Sequence, residues 1–141
     1  MATFNKFNAF AENVYEGVHD LGADTLKVML TLTAPTATDA VKADLTEISA
    51  GNGYTAGGTT TAQSSSAQTS GTYKLVLADV TFTASGGAIA DFRYAVLYND
   101  TPTSPADALI GYWDYGSTVS LASGETFTWD ADQTNGVLQH A

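Results

Sequence analysis

Cysteine is absent from the chain, which excludes disulfide staples, thiolate metal sites and a cysteine nucleophile. Basic side chains are scarce: five Lys and Arg stand against 15 Asp and Glu, a net charge of −10. Lys6, Lys27, Lys42, Lys74 and Arg93 fall singly along the sequence. Nucleic-acid binders neutralise phosphates with Lys and Arg, so no nucleic-acid partner is expected. No apolar run approaches the roughly 20 residues of a membrane-spanning helix, and no membrane partner is expected. The opening residues carry acids and no continuous apolar stretch, unlike a signal peptide, so synthesis in the cytoplasm is expected. Charged residues make up only 14% of the chain, against about a quarter in an average soluble domain. Thr, Ser, Ala and Gly fill the gap, which suits β-structure and broad contact surfaces.

The length of 141 residues points to one domain spanning residues 1–141. Phe4, Phe7, Phe10, Val14, Val18 and Leu21 recur every three or four residues. That spacing predicts an N-terminal helix over about 3–21, with Thr3 as N-cap and Gly22 as the stop. The stripe is expected to pack on the body of the domain; alternatively, Phe4 and Phe7 dock onto a partner chain. After Gly22 the period becomes two. Leu26, Val28, Leu30 and Leu32 share one face of a strand, and Lys27, Met29 and Thr31 share the other. Leu45 and Ile48 then tuck a loop or helical turn onto the core.

Residues 49–72 combine a glycine run with a Ser/Thr tract whose composition is that of a linker. Thr favours strands, however, and Thr69, Ser70 and Gly71 form a good hairpin turn, so an ordered polar edge strand is expected. Strands separated by turns continue to the C-terminus. In one of them Phe92, Tyr94, Val96 and Tyr98 face one way, and Arg93, Ala95 and Leu97 the other. About eight short strands in all predict a mainly β fold, a jelly-roll-like antiparallel β-sandwich with an N-terminal helix.

Constellations for chemistry are thin. His19 and His140 lie in no recognisable motif, and neither is expected to be catalytic. Asp91, Asp114 and Asp130 lie on or beside predicted strands and could form a glycosidase-like pair; solvated strand ends are the better reading. Residues 130–136, DADQTNG, miss the calcium-loop spacing, because Asn135 and Gly136 come one position late. No metal or cofactor is expected. Gly51, Gly53 and Gly57 imitate a phosphate-binding loop, but the spacing is wrong and "TTTAQSSS" follows where a helix should begin. Glycines here serve close backbone approach and left-handed φ angles, with Tyr54 as a buried anchor. The aromatic cluster Tyr112, Trp113 and Tyr115 suits a sugar platform or a protein interface if exposed. Phe127 and Trp129 are expected in the core.

Several stretches together resemble small structural proteins of tailed bacteriophages. They are "EISAGNGYTAGG" (47–58), "RYAVLYND" (93–100), "LIGYWDYGSTVSLASGETFT" (109–128) and the opening "FNAFAENVYEGVHDLGADTLKVMLT" (7–31). Within that group the chain is similar to capsid decoration, or cementing, proteins. The resemblance implies a non-enzymatic protein without cofactor that sits on the outer surface of the virion capsid. It clamps neighbouring copies of the major capsid protein. Self-association is expected, first as a homodimer, alternatively as a trimer. The contact residues expected are Phe4, Phe7, Tyr112, Trp113 and Tyr115. The alternative is a receptor- or carbohydrate-binding module associated with a phage tail.

Overall fold

The structure, a computed structural model, describes residues 2–141. The chain is mainly β, with antiparallel sheets in a sandwich-like arrangement and one short helix near the N-terminus. In chain order the elements are β1 (Phe4–Lys6), α1 (Asn8–Tyr15), β2 (Leu26–Thr31), a 3-10 turn (Lys42–Asp44), β3 (Thr59–Thr61), β4 (Gln63–Thr69), β5 (Thr72–Leu77), β6 (Val80–Thr83), β7 (Ile89–Asn99), β8 (Leu109–Leu121), β9 (Thr126–Trp129) and β10 (Leu138–His140). A five-stranded sheet runs β1-β8-β7-β2-β3, a three-stranded sheet β10-β5-β4, and β6 pairs with β9.

The five-stranded sheet is buried on both faces. Leu26, Val28 and Leu30 of β2 join the main core with Leu75, Phe82, Phe92, Trp113 and Trp129. Met29 points the opposite way, into a second cluster with Phe7, Val96, Tyr98 and Leu109. The segment between β2 and β3 covers that second face: Leu45 packs on it, Val41 bridges to Ala108, and the Ala40 carbonyl accepts from Leu109 N–H. A strand apolar on both faces is what such cover requires.

The N-terminal segment corrects the predicted helix over 3–21. Phe4 lies on β1, opposite Trp113 of β8. The helix begins only at Asn8, with Phe7 rather than Thr3 at its N-cap and no side-chain cap. It stops at Gly17 rather than Gly22. Gly17 takes φ +80°, and the Val18 N–H turns back to the Asn13 carbonyl. The aromatic spacing imitated a longer helix because strand pairing, invisible in a local window, claims residues 4–6 first.

Two further face assignments change. Leu32 is exposed, because β2 ends at Thr31, whose hydroxyl donates to the Thr33 and Thr46 carbonyls. On β7, Phe92 shares the main core with Ala95 and Leu97, while Val96 and Tyr98 face the second cluster. Register shifts on either side of Phe92 and at Leu97/Tyr98 break the simple alternation. The Ser/Thr tract is an ordered hairpin: β4 and β5 pair from Gln63↔Leu77 to Thr69↔Thr72 around Ser70 and Gly71. β8 runs as one long strand from Leu109 to Leu121.

Gly53 shows how tightly the glycine run is built. It adopts φ +103°, and a Cβ there would strike the Thr83 carbonyl oxygen. Gly53→Ala therefore combines left-handed strain with a backbone clash. A loss of about 2 kcal/mol or more is expected, read as a lower urea midpoint at unchanged m-value.

Candidate functional site

The run 49–60 is held by one tyrosine. Tyr54 is 2% exposed. Its hydroxyl accepts from the Leu30 N–H of β2 at 3.1 Å and donates to Glu47 Oε1 at 2.7 Å. The same oxygen accepts from the Gly57 N–H at 2.5 Å, and Glu47 Oε2 pairs with Lys42 Nζ at 3.5 Å. Tyr98 closes the knot from the second cluster by donating to the Gly57 carbonyl at 2.6 Å. Gly57 takes φ +89°. Burial, with Glu47 adding to it against the Leu30 amide, holds the Tyr54 hydroxyl protonated far above the ordinary tyrosine range. Burial first, then Asp100, does the same for Tyr98. Of the glycine amides that imitate a phosphate loop, those of Gly51, Gly57 and Gly58 are bonded within the protein, to the Tyr54 carbonyl, Glu47 and the Thr55 carbonyl.

The proposed contact aromatics are placed unevenly. Phe7 is 0% exposed, packed at 5.3 Å against Tyr112, so it offers no surface to a partner. Trp113 is 9% exposed, wedged between Phe4 at 5.2 Å and Trp129 at 5.0 Å. Gly111 makes room for the Phe4 ring, which a Cβ at that position would meet. Phe4, Tyr112 and Tyr115 are half-buried. As alternation predicts, Tyr112 packs on the second cluster, whereas Trp113 and Tyr115 pack on the main core. Burial and then Asp130 push the Tyr115 hydroxyl up to about 12. The three aromatics do not form a flat exposed platform. Trp129 is core, as expected, whereas Phe127 is half-buried against the core.

The carboxylates are mostly engaged. Asp114 takes a bidentate grip from Arg93, at 2.8 and 3.0 Å, which holds its carboxyl below the usual range; the Gly116 amide adds to this. Asp91 accepts from Ser120 at 2.7 Å. Asp114 and Asp130 share the rim of an open cleft of about 430 Å³ with Tyr115. Asp132 accepts from the Thr134 and Asn135 amides and caps its own turn. Among the described residues, no group of three or more His, Asp or Glu is placed to hold a metal ion. No helix of the described residues is long and apolar enough to cross a membrane.

A roomier, largely apolar opening lies elsewhere, where the N-terminal segment meets β10. It is a half-open groove of about 560 Å³. Phe4, Phe10, Val14 and Tyr15 line one side, and Tyr73 and Leu138 the other. Lys6 and His140, two of the few basic side chains, also border it. Tyr15 is 73% exposed, and its hydroxyl lies 3.2 Å from His140 Nε2. No family model, curated protein or solved structure matched the chain. Its functional reading rests on this surface and on the sequence.

Sequence reasoning missed the groove because its walls come from distant segments: Tyr15 meets His140 across 125 positions. The only signal was the apolar stripe predicted over 3–21, of which Phe4, Phe10, Val14 and Leu21 line the opening. It also missed Glu47 as the partner of Tyr54. For the lock itself, Tyr54→Phe strands the buried Leu30 amide and removes a donor from Glu47. A loss of about 1 to 3 kcal/mol in denaturant unfolding is expected.

Proposed function

We propose that this protein decorates the capsid of a tailed bacteriophage, binding the outside of the major capsid protein shell and stabilising it. The groove between the chain ends is the observation that carries the reading. It leaves apolar side chains open beside an exposed tyrosine, on a chain otherwise low in charge. Buried aromatic anchors dominate protein interfaces, and the occupant in this reading is an apolar segment of the major capsid protein. Lys6 makes no ion pair among the described residues, and with His140 it favours a segment carrying an acidic group next to its apolar anchor. The net charge of −10 suits a position outside a DNA-filled shell. Phe7 and Trp113 contribute by shaping the scaffold, and Phe4 and Tyr15 by contact. Many copies act through avidity, each self-associating as a homodimer at two-fold axes, with a trimer as the alternative. The jelly-roll-like description of the layers belongs to the same proposal, as does the lack of enzymatic activity and cofactor.

A second reading has its own observation. The open cleft with Tyr115, Asp114 and Asp130 offers an aromatic edge and carboxylates, as a carbohydrate-binding module of a phage tail would need. Glycan binding abolished by Tyr115→Ala, with no affinity for capsids, would establish it in place of decoration.

The decoration reading is tested by adding the purified protein to capsids that lack it and following DNA release on heating. A higher release temperature is expected; an equal one overturns the stabilising role. Two variants separate docking from folding. Tyr15→Ala should bind capsids about tenfold more weakly with an unchanged unfolding midpoint. Phe7→Ala should lose about 3 to 5 kcal/mol of stability. Wild-type affinity in Tyr15→Ala would remove the groove from the contact.

A further inference from the structure

His19 follows α1 in a turn and is 7% exposed, its ring 5.3 Å from that of Phe10. Nδ1 lies 3.0 Å from Asn99 Nδ2 on β7. The polarity of that contact is determined by its neighbours. Thr101 N–H donates to Asn99 Oδ1 at 3.0 Å, so the amide nitrogen is the atom that faces His19. That nitrogen gives one hydrogen to Asp24 Oδ2 at 2.6 Å and the other to His19. Nδ1 must therefore accept, which leaves the ring proton on Nε2. Nε2 is buried without a hydrogen-bond partner among the described residues. A second proton has one place to go, Nδ1, directly opposite an existing donor. The imidazolium would lose Asn99 and bury a charge whose other N–H has no acceptor.

We propose that His19 is an acid-sensitive latch: its protonation releases α1 and the turn over residues 16–24 from the sheet, and with them one wall of the apolar groove. Phe10, Val14 and Tyr15 of α1 and Leu21 of the turn all line that groove. The consequence for docking rests on the proposed function; the latch does not. The surrounding charges are few. The turn supplies Asp24 and Asp20, whose N–H donates to Asp24 Oδ2 at 2.8 Å. β7 supplies Asp100, next to Asn99, which Lys27 of β2 engages at 3.1 Å. α1 presents the Phe10 ring. Asp24 favours a protonated ring, but burial outweighs it and pushes His19 down from 6.5 to about 4. Because the folded value is the lower one, the latch is fully closed above pH 6.5. Its contribution fades as pH falls from there and is gone below about 4.

The test is made on the free, full-length protein. Ring 15N NMR should show the Nε2–H tautomer at neutral pH and no ring protonation until about pH 4. Hydrogen exchange, corrected for intrinsic rates, should show local opening over residues 8–24 rising roughly twentyfold between pH 7 and pH 5. Protection in β2, β7 and β8 should persist. His19→Gln should abolish the pH dependence. A ring that titrates near 6.5, an Nδ1–H tautomer, sheet protection lost in step with α1, or the same pH dependence in His19→Gln would each overturn the latch. The wild-type titration decides even if the variant does not fold. None of these readouts involves capsids, so failure of the latch is distinct from failure of the decoration reading.

Discussion

One hydroxyl ties the covering loop to β2. Tyr54 accepts from Leu30 near the end of β2 and donates to Glu47, and Glu47 in turn holds Gly57 and Lys42. Three segments that are separate in sequence meet at that point: the strand, the cover of its second face, and the glycine run leading into β3. The donors and acceptors are buried or half-buried, where a lost partner costs more than a made bond yields. The knot therefore decides where the 49–60 loop lies. It also closes the second cluster through Tyr98.

That closure frees the other face of the five-stranded sheet for the main core and for the chain ends. β1 pairs with β8 at one sheet edge, and β10 pairs with β5 at the edge of another. α1 spans between them without completing the core, because it is only eight residues long. The result is an apolar trough rather than a sealed layer. Beneath α1, His19 is the one buried histidine among the described residues, held neutral by its burial, with its tautomer set by an amide whose orientation two other groups determine. Opening at the surface and a proton-sensitive contact below it are consequences of the same short helix.

Much of the β architecture was legible in local sequence. The alternation in β2, the Ser-Gly turn between β4 and β5, and the opposition of Tyr112 to Trp113 and Tyr115 all follow from a period of two. Tyr54 could be named as an anchor because a lone aromatic among glycines has little else to do. The reading failed where a long-range partner overrode a local pattern. Phe4 and Phe7 have helical spacing, yet one lies on a strand and the other in the second cluster. Phe92 kept its aromatic spacing but changed face across a register shift.

Composition and periodicity by themselves determined that this chain would form antiparallel strands with little charge, strong acidity and no thiol chemistry. These properties depend on single residues and their near neighbours. Tertiary structure alone decided which aromatics became surface and which became core. It paired Glu47 with Tyr54, set Asn99 against His19 across 80 positions, and brought Phe4 to Leu138 along one groove. The reason is that burial and hydrogen-bond partners belong to pairs of distant segments, and no local period encodes which segments will meet.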